Sequence, residues 1–184
     1  RDGETNISTG WHAIEFLLWG QDLYADGPGR REWTDFTTAP NADRRMKYLV
    51  ACTELLRSHL VAVADQWSMS NYENHTGDFF LKRPTTLIKQ VMTGVTSLAG
   101  RELAAERMSV AMRSKSQEDE HSCFSDTTHF DFVANMEGLE AVLFGSYKAA
   151  YGPLVEGKGF VSVIADADEE AAGKLKEKFY IAKE

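Results

Sequence analysis

The sequence predicts an all-α protein, a helical bundle. Apolar residues recur at alternating three- and four-residue spacing along two long segments, and the stretches between are polar and marked by Gly, Pro and Asn. One β-branched run, 160–164, competes as a strand, but no second run is available to pair with it, so it too reads as helix.

The first helix covers 9–20: Trp11, Ile14, Leu17 and Leu18 are its apolar members, Ser8 or Thr9 is placed to cap it, and Gly20 ends it. From 21 to 42 the chain reads as a loop longer than most connections, which favours a functional or well-packed segment, with Tyr24, Trp33 and Phe36 expected against the body. The second helix, 43–67, carries the stripe Met46, Leu49, Thr53, Leu56, Leu60, Val63 and Trp67. Residues 68–83 read as loop, and Pro84 opens a third helix running to about 113 with Ile88, Val91, Val95, Leu98, Glu102, Ala105 and Met112 on one stripe. After an irregular polar stretch, a fourth helix over 128–147 is expected to bury Phe132, Met136, Leu139, Val142 and Leu143, and a last helix follows over 161–182.

The charge balance narrows the partners. Twenty basic residues stand against 28 acidic ones, a net charge of -8, so a phosphate backbone would be repelled and nucleic acid is excluded as a partner. No apolar stretch approaches the ~20 residues of a membrane helix. Cys52 and Cys123 form neither a disulfide framework nor a CxxC site, and one bridge or two buried thiols both stay open.

Three places carry chemistry. His12 and Glu15, three apart on a helix, lie about 60° apart around its axis and share a face, half of a metal site set among apolar neighbours. Glu102 falls on an inward stripe, with Glu106 one turn on, and a buried carboxylate needs a cation or a donor. Glu118-Asp119-Glu120-His121-Ser122-Cys123-Phe124-Ser125-Asp126, followed by His129 and Asp131, concentrates oxygen ligands and imidazoles. Its plainer reading is an acidic solvated loop in which Ser125 or Asp126 caps the next helix. No HExxH, Walker or GxGxxG motif occurs.

Gly10-Trp11-His12-Ala13-Ile14-Glu15, with Phe16 to Asp22 behind it, resembles the GxHxxE signature of the imelysin-like family, and within it the iron-regulated protein A type. Gly27 to Arg31 with Asp35-Phe36, Glu102 to Met108, and Gln117 to His129 resemble further blocks of that family in the same order. Phe130 stands where such proteins carry a basic or polar residue. The resemblance implies two bundle-like halves with the signature residues near their junction, a bacterial envelope location (periplasmic or outer-membrane-anchored), and a link to iron acquisition. It also implies a domain over 1–184 that is incomplete at its N-terminus, since family members carry helices ahead of the signature.

The expectation is therefore a binding protein in which His12, Glu15, Glu102, Glu106, His121 and Asp126 hold an iron-type cation or its chelate, with Arg107, Ser122 and Ser125 as polar positioners. The alternative is a zinc-dependent metallopeptidase in which His12 and Glu15 ligate zinc and Glu120 acts as base. A third reading makes the cluster a structural network between bundles. The near-apolar first helix and the long stripes further imply a covering partner, either missing N-terminal helices or a second protein chain.

Overall fold

The computed structural model describes residues 8–70 and 73–184. It is an all-α bundle, as the hydrophobic spacing requires. Helices α1 (Trp11–Trp19), α2 (Ala42–Gln66), α3 (His75–Leu81) and α4 (Pro84–Thr96) come first, with a single 3-10 turn, Trp33–Phe36, inside the long loop. A π-helix, Ser97–Met108, runs on from α4 into α5 (Ser109–Ser114), and α6 (Thr128–Phe144), α7 (Phe160–Ala165) and α8 (Glu169–Lys183) complete the chain. The only strands among the described residues, β1 (Ser146–Lys148) and β2 (Leu154–Glu156), pair antiparallel as a small hairpin with Tyr147 opposite Val155. No described helix is long and apolar enough to cross a membrane.

The core cluster is built by α6 and α8. Leu139 and Leu143 of α6 and Phe179 of α8 are its buried centre, packed against Val95, Leu98, Met136, Phe144, Phe160, Val161 and Leu175. Phe144 sits 5.3 Å from Phe179, edge to face, and 5.4 Å from Tyr180, stacked. Val142, expected inside, faces out. The expected last helix is present but broken. The chain turns at Asp166, and Asp168 restarts it by accepting a hydrogen bond from the Ala171 amide at 2.9 Å.

Three local expectations are corrected. Residues 75–81 are helix, not loop, because the Asn74 side chain accepts from the amides of Thr76 and Gly77 and donates to Asp65 and Ser68 carbonyls, starting α3 while closing α2. Residues 71 and 72 of that expected loop lie outside the described residues. The cap of α1 is Gly10, at φ 93, and neither Ser8 nor Thr9 serves. Trp33 points outward, 70% exposed, and Tyr24 lies instead under the Arg30 guanidinium, 4.1 Å from its centre.

The α2 stripe forms a helix but is only thinly covered. Ala42 and Cys52 are buried and Leu49 and Leu56 half-buried, whereas Leu60, Val63 and Trp67 are exposed. Both cysteines are free thiols.

Candidate functional site

The site is built where α1 meets the segment that enters α6. Gly29 makes that meeting close: its amide donates to the Phe124 carbonyl at 2.9 Å, and a Cβ there would lie 2.5 Å from the Trp19 carbonyl oxygen. Arg31 closes the end of α1, its amide donating to Trp19 and its guanidinium to the Phe16 carbonyl and to Asp35. The Phe16 and Phe124 rings then pack edge to face at 5.1 Å. α1 and the 120s are held as one body.

On α1, the i, i+3 spacing does what the helix geometry demands: His12 Nδ1 is 2.8 Å from Glu15 Oε2. The other Glu15 oxygen, Oε1, accepts from the Ser125 amide at 2.9 Å and from the Ser125 hydroxyl at 2.6 Å. Glu15 is thus a buried carboxylate whose oxygens are both committed, the condition under which burying a charge is tolerable. Ser125 Oγ also lies 2.7 Å from Thr127 Oγ1.

A second pair repeats the design. His121 Nδ1 is 2.9 Å from Asp131 Oδ2, and the Ser122 hydroxyl donates to the same oxygen at 2.5 Å. The Ser122 amide donates to Thr128 Oγ1 at 2.9 Å, fixing the loop onto the first turn of α6. Burial would raise the Asp131 carboxyl, but the hydrogen bonds from His121 and Ser122 and the nearby imidazoles outweigh it and hold it below its ordinary 3.8. At Cys123, burial first and then the carboxylates of Glu118, Glu15 and Asp22 push the thiol up to about 11.

The two pairs face one another, with the His12 and His121 rings edge to face at 4.8 Å. Both line one cleft of about 480 Å3, together with Glu15, Ser122, Ser125 and Asp131 on the polar side and Trp11, Ile14 and Leu18 on the apolar side. Because a carboxylate only accepts, each Nδ1 is the donor to its carboxylate, and each Nε2 is the ring nitrogen that this hydrogen bond leaves over. A carboxylate behind each imidazole is the arrangement in which histidine binds metals. Both seryl hydroxyls donate to carboxylates; among the described residues neither is paired with an imidazole, so no serine nucleophile is assembled.

Of the residues read from the sequence, His12, Glu15, His121, Ser122 and Ser125 come together. Glu102, Glu106, Asp126, Arg107 and Glu120 do not. The π-helix bonds i to i+5, which rotates every later residue off the register of an α-helix, so Leu103 is buried where Glu102 was expected. Glu106 pairs at the surface with Arg101 at 3.4 Å. Arg107 donates to Asn135 at 3.1 Å, Asp126 accepts from Gln117 at 3.2 Å, and both line a different cleft with Glu120. Asp131, named in the sequence with the acidic cluster but given no role there, belongs to the site, as do Thr127 and Thr128, which the sequence reading did not single out. The one signal for the three is that Asp131 shares the acidic His121 segment.

Among the described residues no three His, Cys, Asp or Glu side chains form a metal-ligand group. Two imidazoles, each held through Nδ1 by a carboxylate, suit a cation that brings further ligands of its own. They do not make the three-ligand centre of a hydrolytic zinc.

No curated protein matches this sequence. The chain matches the family model described as Imelysin, under the peptidase heading M75, over residues 1–184. The protein belongs to the imelysin family.

Proposed function

We propose that the protein binds an iron-type cation, or a chelate of one, in the cleft between α1 and the 120s, with His12 and His121 as its protein ligands. The observation that carries this reading is the pair of carboxylate-held imidazoles at 4.8 Å on one cleft. Glu15 orients His12 rather than ligating, since its oxygens are taken by His12 and Ser125. Asp131 does the same for His121 while keeping Oδ1 free of hydrogen bonds among the described residues. A metal bound by two imidazoles retains open positions, which oxygen donors of a chelator fill. The sequence resemblance supports a role in bacterial iron acquisition, in the periplasm or anchored at the outer membrane.

The family's peptidase heading favours a second reading, zinc-dependent peptide hydrolysis. It needs a third protein ligand and a general base beside the metal. Glu120, the candidate base, lines the other cleft. Binding is therefore the better-supported function.

Crystals soaked in zinc chloride or ferric citrate, with anomalous data at both metal edges, test the assignment. A peak within about 2–2.5 Å of both Nε2 atoms is expected. A peak elsewhere, or none in the cleft, contradicts it.

A further inference from the structure

A second cleft, of about 670 Å3, opens where the end of the π-helix and α5 meet the 116–120 segment and the first turns of α6. It shares no lining residue with the cleft of the paired imidazoles. Its size is that of a small-molecule site. Met108, Met112 and Phe132 give it an apolar wall, and Arg107, Lys115, Glu120 and Asp126 give it two charges of each sign.

Those charges are underused. Arg107 spends one of its five donors, on Asn135. Among the described residues the Lys115 ammonium and the Glu120 carboxylate have no side-chain partner, and Asp126 holds only Gln117, through Oδ1. The backbone adds a separate sign. Of the three non-glycine residues with positive φ among those described, two, Lys115 at 53° and Asp126 at 54°, line this cleft. Lys115 ends α5 in a left-handed conformation where glycine or asparagine is the ordinary choice. Such conformations concentrate where a site requires a side chain that the backbone alone would not select.

We propose that this cleft binds a free α-amino acid with an apolar side chain. Arg107 and Lys115 hold its carboxylate, Glu120 and Asp126 hold its ammonium, and its side chain lies along Met108, Met112 and Phe132. A simple anion would meet Glu120 and Asp126 unpaired, and a simple cation would meet Arg107 and Lys115. A zwitterion satisfies both sets, and a methionine- or phenylalanine-sized side chain matches the wall.

Calorimetry on the whole chain tests this with L-methionine and L-phenylalanine, against N-acetyl-L-methionine, which lacks the ammonium, and 3-(methylthio)propylamine, which lacks the carboxylate. Saturable one-to-one binding of the amino acids is expected, roughly tenfold or more weaker for each control because a charge-assisted hydrogen-bond set is lost. Lys115→Gly suits the left-handed backbone, so it should leave the circular dichroism unchanged while weakening binding roughly tenfold, and Arg107→Gln should do the same. Binding in His12→Ala should equal that of the parent chain. The proposal is overturned by no saturable binding up to about 10 mM ligand, by equal binding of the N-acetyl compound, or by unchanged affinity in a folded Lys115→Gly.

Discussion

The His12 and His121 rings meet edge to face, 4.8 Å between centroids and 89° between planes, each tied through Nδ1 to its own carboxylate. The two rings come from segments far apart in the chain, α1 and the 120s, and the Glu15–Ser125 pair, 110 residues apart in sequence, ties the carboxylate behind His12 to the segment that carries His121. Ser125 is therefore the residue on which the paired geometry depends, since it fixes Glu15 and Glu15 fixes His12.

Ser125→Ala removes the hydroxyl and leaves Glu15 Oε1 with the backbone amide alone. Loss of one hydrogen bond to a buried carboxylate costs about 1–3 kcal/mol. The thermal midpoint should fall by roughly 2–10 °C, and metal affinity should weaken as His12 loses its support. Ser125→Thr, which restores a hydroxyl, should recover part of both. An unchanged midpoint in the alanine variant would show that the hydroxyl supports nothing.

Asp131 sets an acid limb. Its folded carboxyl lies below its ordinary value because the hydrogen bonds from His121 and Ser122 outweigh burial. A depressed carboxyl contributes stability that is fully present above the unfolded value of about 3.9 and is lost as the pH falls through the folded one. Asp131→Asn should thus be less stable than the parent at pH 6, with the difference closing below about pH 4. Denaturant midpoints measured from pH 6 to pH 2.5 check this, and a constant gap across that range would refute it.

Cys123 should be slow to alkylate. Burial, followed by the charges of Glu118, Glu15 and Asp22, raises its thiol to about 11, and only the thiolate reacts. At pH 8 its reaction with iodoacetamide in the folded chain should be roughly a hundredfold slower than in denaturant. Peptide mapping reads Cys123 separately from the buried Cys52. Equal rates in the two states would contradict the described burial.

Local geometry made half of the site legible. His12 and Glu15 were readable because a helix forces residues three apart onto one face, and the helices around the core followed from their apolar spacing. Asp131 stood out as part of the acidic cluster, but its pairing with His121 was not readable, because His121 reaches it across a loop whose path depends on Ser122 and Thr128 rather than on any period. Glu102 was misplaced for a definite reason: the sequence offers no mark of a π-helix, and twelve residues of it displace the register on which the inward stripe was drawn. The α3 helix was hidden by its shortness, though Asn74 is its capping residue. On α2 the period was correct but burial did not follow from it, since Leu60, Val63 and Trp67 lie exposed.

The paired imidazoles are tested most directly by calorimetric titration of the metal-free chain with zinc chloride and with ferric citrate, in parallel with His12→Ala, His121→Ala and the double variant. The parent should bind saturably with one of these. Each single variant should lose most of that affinity, and the double should lose little more than either single, because two ligands of one cation are strongly coupled. Glu15→Gln and Asp131→Asn, which keep the shape but alter the support behind each ring, should weaken binding about 10–100-fold. Undiminished binding in a double variant of parental helicity would contradict the assignment of His12 and His121 as the metal ligands.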